Sequence, residues 1–242
     1  MTLWDWIALG VFFICWLFYE PVLHSISRRS GAITRDMEVI RLAWMNAMTR
    51  REMRMVDSQL MGHAINSASF FGSASLILIA AVAGALFGGK GMLPDVSGLG
   101  VQVSAERLEI KLALVIICLS RGLLDFIWSI RQQNYCLALI GAAPSGDGPQ
   151  SRAFAEAAAE VMNPALTAFS RGVRGYYFAL AAAAWVYGAA WLAMAAVAAT
   201  ALLVWRQSRS PAAQGLRKAR AALEQVPPQR RRKNSSLDEF GA

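Results

Sequence analysis

Arg121 and Asp125 stand four residues apart inside an apolar run and therefore share one face of a helix. Continuing around the wheel, Trp128, Ser129, Gln132, Tyr135 and Cys136 fall within the same sector of ~120°. An ionisable group at a bilayer centre costs about 2.5–3.5 kcal/mol on insertion scales, so such residues usually face a bundle interior or a watery cavity. One reading makes Arg121, Asp125, Ser129 and Gln132 a polar path for an ion or small solute. The other makes Arg121 and Asp125 a self-neutralising pair that locks the bundle, with Ser129 and Gln132 bonding between helices.

Other candidate chemistries fall away on spacing. Gly84 to Lys90 matches the start of a phosphate-binding loop, but Gly91 follows where Ser or Thr is needed, and an apolar helix precedes it where a strand is required. His24 and His63 have no carboxylate or Cys at metal-ligand spacing. No Ser lies in a Gly-x-Ser-x-Gly elbow, and no Cys stands near either His. The expectation is no catalytic residue, no metal, no cofactor and no enzyme activity. Cys15, Cys118 and Cys136 are three, so an even disulfide framework is excluded and buried thiols are expected.

The elements that would position the polar stripe are hydrophobic blocks. Apolar residues make up 56% of 242, too many and too clustered for a soluble globule. The blocks are Leu3 to Tyr19, Ala68 to Phe87, Leu112 to Ile130, and the thirty uncharged residues from Tyr176 to Trp205. Most approach the ~20 residues that a helix needs to cross ~30 Å of hydrocarbon. The first lacks a basic flank and a small-residue cleavage site, so it is expected to stay as a membrane helix.

Charge orients these blocks, since cytoplasmic loops are enriched in Lys and Arg. The first loop holds Arg28, Arg29, Arg35, Arg41, Arg50, Arg51 and Arg54; the second Lys90, Arg107 and Lys111; the third, between Arg131 and Arg174, four Arg. That order reads inside, outside, inside, with the N-terminus outside. The tail, from Arg206 to the run Arg230–Lys233, then belongs inside as well. A single crossing from Tyr176 would put it outside. Trp185, Tyr187 and Trp191 around Gly188, with further aromatics at both ends of the block, predict instead a helical hairpin turning at Gly188. A single long tilted helix is the competing form.

Between the spans, Thr34 is expected to cap a helix running to Leu60 or Gly62, with two apolar stripes. One stripe holds Met37, Ile40, Trp44, Ala47, Met48 and Met55; the other holds Leu42, Met45, Met53, Val56 and Leu60. Arg50, Arg54 and Asp57 would share its charged face as a salt-bridge cluster. That helix has no Pro to stop it before Phe70 and could run on into the second span. A second helix is expected from Ser151 to Met162, ended by Asn163 and Pro164. Small residues at 72–75 and at Ala80, Ala81, Ala83 and Gly84 suit close helix approach. The tail is expected to be a short basic helix about Leu216–Leu223 and then disorder from Gln225, held near anionic headgroups. Nothing there supports nucleic-acid binding.

Two stretches carry a resemblance. Trp44, Met45, Met48, Arg51, Val56, Asp57 and Leu60 lead into Phe70, Phe71 and Ser73, and Trp128 to Cys136 end at Gly141–Pro144. With Arg174 to Phe178, they resemble the domain of unknown function 599 family of multi-pass membrane proteins, over about Trp4 to Arg209. That family pattern favours a basic or neutral residue where this chain has Asp125. The resemblance therefore directs attention to Trp128, Arg131, Asn134 and Tyr135, near the expected cytoplasmic mouth, and it implies no activity.

The whole predicts an all-α polytopic membrane bundle of about five crossings in a bacterial inner membrane, spanning near 3–21, 68–87, 110–130, 174–187 and 190–206. Cytoplasmic helices would cover 34–62 and 151–162, with residues 1–209 forming one domain and 210–242 a basic tail. The expected partners are the bilayer, anionic headgroups and further copies of the chain. The leading functional reading is a channel or small transporter along the third span. The alternative is a scaffold that uses the long helix and the tail.

Overall fold

A computed structural model describes residues 2–30, 33–88 and 105–225, and among them every regular element is helical. They are α1 (Leu3–Ser30), α2 (Ile33–Thr49), α3 (Met55–Phe87), α4 (Ala105–Ala142), α5 (Pro149–Ala183), α6 (Ala189–Ser208) and α7 (Pro211–Gln225), with a 3-10 turn at Ala184–Tyr187. By length and composition, two helical stretches could cross a membrane: Met55–Phe87 and Ala189–Gln225, the latter taking in α6 and α7. Leu3–Tyr19 is a shorter apolar helix. The stretch expected at 110–130, which carries Lys111, Arg121 and Asp125, is not among them. Most of the expected loop between α3 and α4, and the tail after Gln225, lie outside the described residues.

The helices stack as two storeys that share α4 and α5, the most extensively packed pair. In the first, Phe12 of α1, Cys118 of α4, Phe178 and Trp185 near the end of α5, and Leu192 of α6 form one buried core. Polar pairs close both of its ends. Asp5 accepts a hydrogen bond from Trp185 Nε1 at 3.0 Å, with Lys111 Nζ 5.9 Å from the same ring. At the other end Arg206 donates to Tyr177 Oη at 2.8 Å, and Arg174 lies 5.0 Å from the Tyr19 ring. In the second storey Met45 and Met48 of α2, Met61 of α3, Cys136 and Ile140 of α4, and Ala158 and Met162 of α5 make another core.

The chain reverses at Gly188, whose φ of +134° suits glycine alone. The contact of Arg206 with Tyr177 brings α6 back along α5. Then α7 lies on α2, with Arg220 paired to the buried Asp36 at 3.2 Å.

Several boundaries differ from expectation. The helix predicted over 34–62 is two helices, broken between Thr49 and Met55. Its corner is held by tertiary acceptors: Gly146 N–H donates to Thr49 O, and each neighbouring Arg finds a different partner. Beyond the break α3 does run unbroken into the apolar stretch. Thr34 lies inside α2 instead of preceding it. Pro164 does not end a helix, for α5 continues through it, starting from a Gly148 cap with Ser151 buried inside. Pro164 forgoes one backbone bond, yet Ala158, Met162, Ala165, Ala168 and Gly172 are all buried along that helix, and their packing outweighs it. The tail helix spans Pro211–Gln225, longer than the turns expected around Leu216.

The tightest helix crossing also lies elsewhere than the small residues of α3 suggest. A Cβ on Gly122 would stand 3.1 Å from Gly172 O, and one on Gly175 3.1 Å from Gly122 Cα. Backbones thus meet directly between α4 and α5. Gly72 of α3 comes only to ordinary contact with Phe126, at 3.8 Å.

Candidate functional site

Where the two storeys join, α4 and α5 carry the polar residues singled out by the sequence. Asp125 is nearly buried and is shared by two cations: Arg121 Nε donates to one oxygen at 3.4 Å and Arg171 Nε to the other at 3.3 Å. The periodicity of α4 gives the Arg121 pair; Arg171 comes from α5, and nothing local in the sequence signals it. One turn on, Ser129 Oγ donates to Ala165 O at 2.7 Å and accepts from Gln133 Nε2 at 2.9 Å. Ser129 and Gln133 are both fully buried.

The expected stripe is therefore divided between two surfaces. Asp125, Ser129 and Cys136 face inward, while Trp128, Arg131, Asn134 and Tyr135 are exposed. Arg131 lies 5.8 Å from the Trp128 ring and donates to Tyr135 Oη at 3.1 Å, a patch on the outside of the helix. Gln132 is half-buried, and its buried Oε1 has no hydrogen-bond partner among the described residues. No bond from Gln132 to another helix is seen among the described residues; Gln133 instead bonds Ser129 within α4, as the i to i+4 spacing could have indicated, and of these residues Ser129 alone carries the link to α5.

Above this line Phe71, Phe126, Phe169 and Tyr176 form an aromatic box, with Phe71 stacked on Phe126 at 5.7 Å. Tyr176 Oη donates to Phe71 O at 2.7 Å and lies 3.0 Å from Ser75 Oγ. Gly172 abuts the Phe126 ring, where an added Cβ would meet ring carbons at 2.6–2.8 Å.

Below it the charged cluster expected from Arg50, Arg54 and Asp57 is dispersed. Arg50 pairs with Asp147 beyond the end of α4. Arg54 donates to Ile140 O at 3.1 Å, to Ala143 O and to Ser145 Oγ at 3.2 Å, capping the C-terminal carbonyls of α4. Asp57, fully buried in the first turn of α3, takes Arg51 and Trp44 Nε1, the latter at 2.7 Å. Arg41 reaches Asn163 Oδ1 at 3.1 Å, and burial pulls its guanidinium below its ordinary value, against the opposing pull of Glu38. Burial pushes the Cys136 thiol up to about 11. Among the described residues no group of three or more His, Cys, Asp or Glu could hold a metal ion.

A two-storey all-helical bundle, with paired cations at the join and arginine cross-links in one storey, defines the structural class. The family model described as "Protein of unknown function, DUF599" matches residues 7–212, and the chain belongs to that family. No curated protein and no solved structure matches it.

Proposed function

We propose that the chain is an integral membrane protein of five crossings that acts as a self-associating scaffold, the α2 storey forming a rigid cytoplasmic platform. Exposure supports the membrane placement. Only 11% of the apolar window of Met55–Phe87 is buried, and 17% of that in Ala189–Gln225, unlike the core helices of a soluble protein. From Ala189 to Trp205 the apolar run is seventeen residues, about 25 Å of helix. The reversal at Gly188 and the docking of α7 on α2 support a tail on the same side as the platform. The charge distribution makes that side the cytoplasm of a bacterial inner membrane, with the N-terminus opposite.

The observation that carries the scaffold reading is the exposed apolar patch of Met53, Met55, Val56 and Leu60. Leu60 and Val56 lie eight and twelve residues before Ala68, where the apolar run of α3 begins, or about 12 and 18 Å along the helix. Lipid tails do not extend that far, and an exposed apolar patch of this kind suits another protein surface. The face continues along α3 through Ser67 to Phe70 and Ile77, all exposed. Two copies meeting along it would bury apolar residues at both depths.

Packing counts against a conduit inside one chain. Asp125 is occupied by two arginines, Ser129 is bonded to the α5 backbone, and α4 meets α5 at glycine contact. The test is association in nanodiscs, followed by energy transfer between labelled copies. Transfer should fall to background in the combined Met53→Gln, Val56→Gln, Leu60→Gln variant while the unfolding midpoint holds. Undiminished transfer, or ion flux in liposomes abolished by Asp125→Asn, would overturn the scaffold reading in favour of the channel.

A further inference from the structure

We propose that Arg121 and Arg171 clamp the phosphate of an acidic glycerophospholipid on the outer surface of α4, in the cytoplasmic leaflet. This rests on the membrane placement above and not on self-association.

Charge and donor arithmetic lead to it. Two guanidinium groups share one carboxylate, which leaves one uncompensated positive charge. Each guanidinium has five N–H donors, and each uses only its Nε–H on Asp125; among the described residues neither makes another hydrogen bond. Both grip the same carboxylate, Arg121 at one oxygen and Arg171 at the other, so both guanidinium groups lie in the region around Asp125. Arg121 is 63% exposed and Arg171 34%, so that region opens outward. A phosphate monoanion suits it, since guanidinium forks match phosphate oxygens two at a time.

The depth and the surroundings select a lipid. Phe71 stacks on Phe126, next to Asp125, and lies three residues inside the start of the apolar run of α3 at Ala68. Asp125 therefore sits at the edge of the apolar layer, and Arg121 bends back toward it from one turn deeper, as a snorkelling cation does. On the same face Ile117 and Leu124 are exposed on either side of Arg121, with Trp128 beyond at the interface. An acyl chain along Ile117 and Leu124 would carry its headgroup to the two arginines. A soluble anion would have no use for those flanking apolar contacts.

The experiment uses the full chain in phosphatidylcholine nanodiscs containing a minor fraction of phosphatidylglycerol, washed at a salt concentration that screens surface charge. Retained lipid is counted by native mass spectrometry. Wild-type protein should enrich phosphatidylglycerol about fivefold over its bulk fraction, from the one uncompensated positive charge near the headgroups. Arg121→Gln with Arg171→Gln should abolish the enrichment. Asp125→Asn removes the competing carboxylate and should raise it, an outcome that a purely structural role for the trio does not give. Arg171→Lys keeps the charge should the double variant fail to fold, and should retain partial enrichment. Enrichment unchanged in the double variant, lowered by Asp125→Asn, or displaced fully by inorganic phosphate would overturn the clamp. Failure of the membrane placement is distinct: the chain would not enter the discs at all.

Discussion

Removal of Arg54 tests whether the second storey is held to α4 by a side chain acting as a helix cap. The last carbonyls of α4 have no partner within the helix and carry the negative end of its dipole. Arg54 serves Ile140 O and Ala143 O and also reaches Ser145. Hydrogen bonds to a charged group contribute about 1.5–3 kcal/mol each when buried. Arg54 is half-buried, so water refills part of the loss, and Arg54→Ala should cost about 2–3 kcal/mol. For a domain of this size that is a fall in midpoint of ~5–10 °C. Arg54→Lys retains the charge near the dipole but cannot fork between two carbonyls, and should lie between the two. Arg50→Ala is the internal control, since its pair with Asp147 is more than half exposed on both sides and contributes less than about 1 kcal/mol. The assay is thermal unfolding under one solution condition at one scan rate, because the midpoint depends on scan rate where unfolding is irreversible. A midpoint for Arg54→Ala within about 1 °C of that for Arg50→Ala would refute the capping argument.

Three further outcomes follow from single contacts. Gly172→Ala should destabilise by about 1–3 kcal/mol through collision with the Phe126 ring, and Phe126→Leu in the same chain should recover part of that loss in a double-mutant unfolding cycle. Gly188→Ala should also cost about 1–3 kcal/mol, here entirely from the backbone, because no neighbouring atom lies within 4 Å of the added carbon; equal midpoints for the two proteins would contradict the turn geometry. Cys136, buried and raised to about 11, should resist alkylation near pH 8 until denaturant is added. Its folded value lies above the ordinary 9.0, so its contribution to stability is full below about pH 9 and is lost as pH rises through 11, readable as a falling denaturation midpoint.

The helices were legible in the sequence where one face repeats, and their ends were not where a distant acceptor decides. Nothing between Thr49 and Met55 is a strong helix breaker, and the break exists because Asp147, Asp57 and the end of α4 each draw a different arginine. Two of those three acceptors lie more than eighty residues away in sequence, out of reach of any spacing rule. Pro164 is the reverse case: a strong local signal overridden by packing along α4 that only the fold supplies. Gly188 was legible because its requirement is local, a positive φ between two apolar helices.

The polar face of α4 shows why a helical wheel finds a site without giving its meaning. Arg121, Asp125 and Ser129 do share one sector, but the wheel cannot say that α5 returns Arg171 to the same carboxylate or that Ala165 O waits for Ser129. With a single arginine the pair is neutral and mute. With two, the balance turns positive on a surface where Ile117, Leu124 and Trp128 already face outward, and an acidic partner becomes the simplest way to complete it. The residue that converts a lock into a candidate binding site is thus the one supplied by another helix.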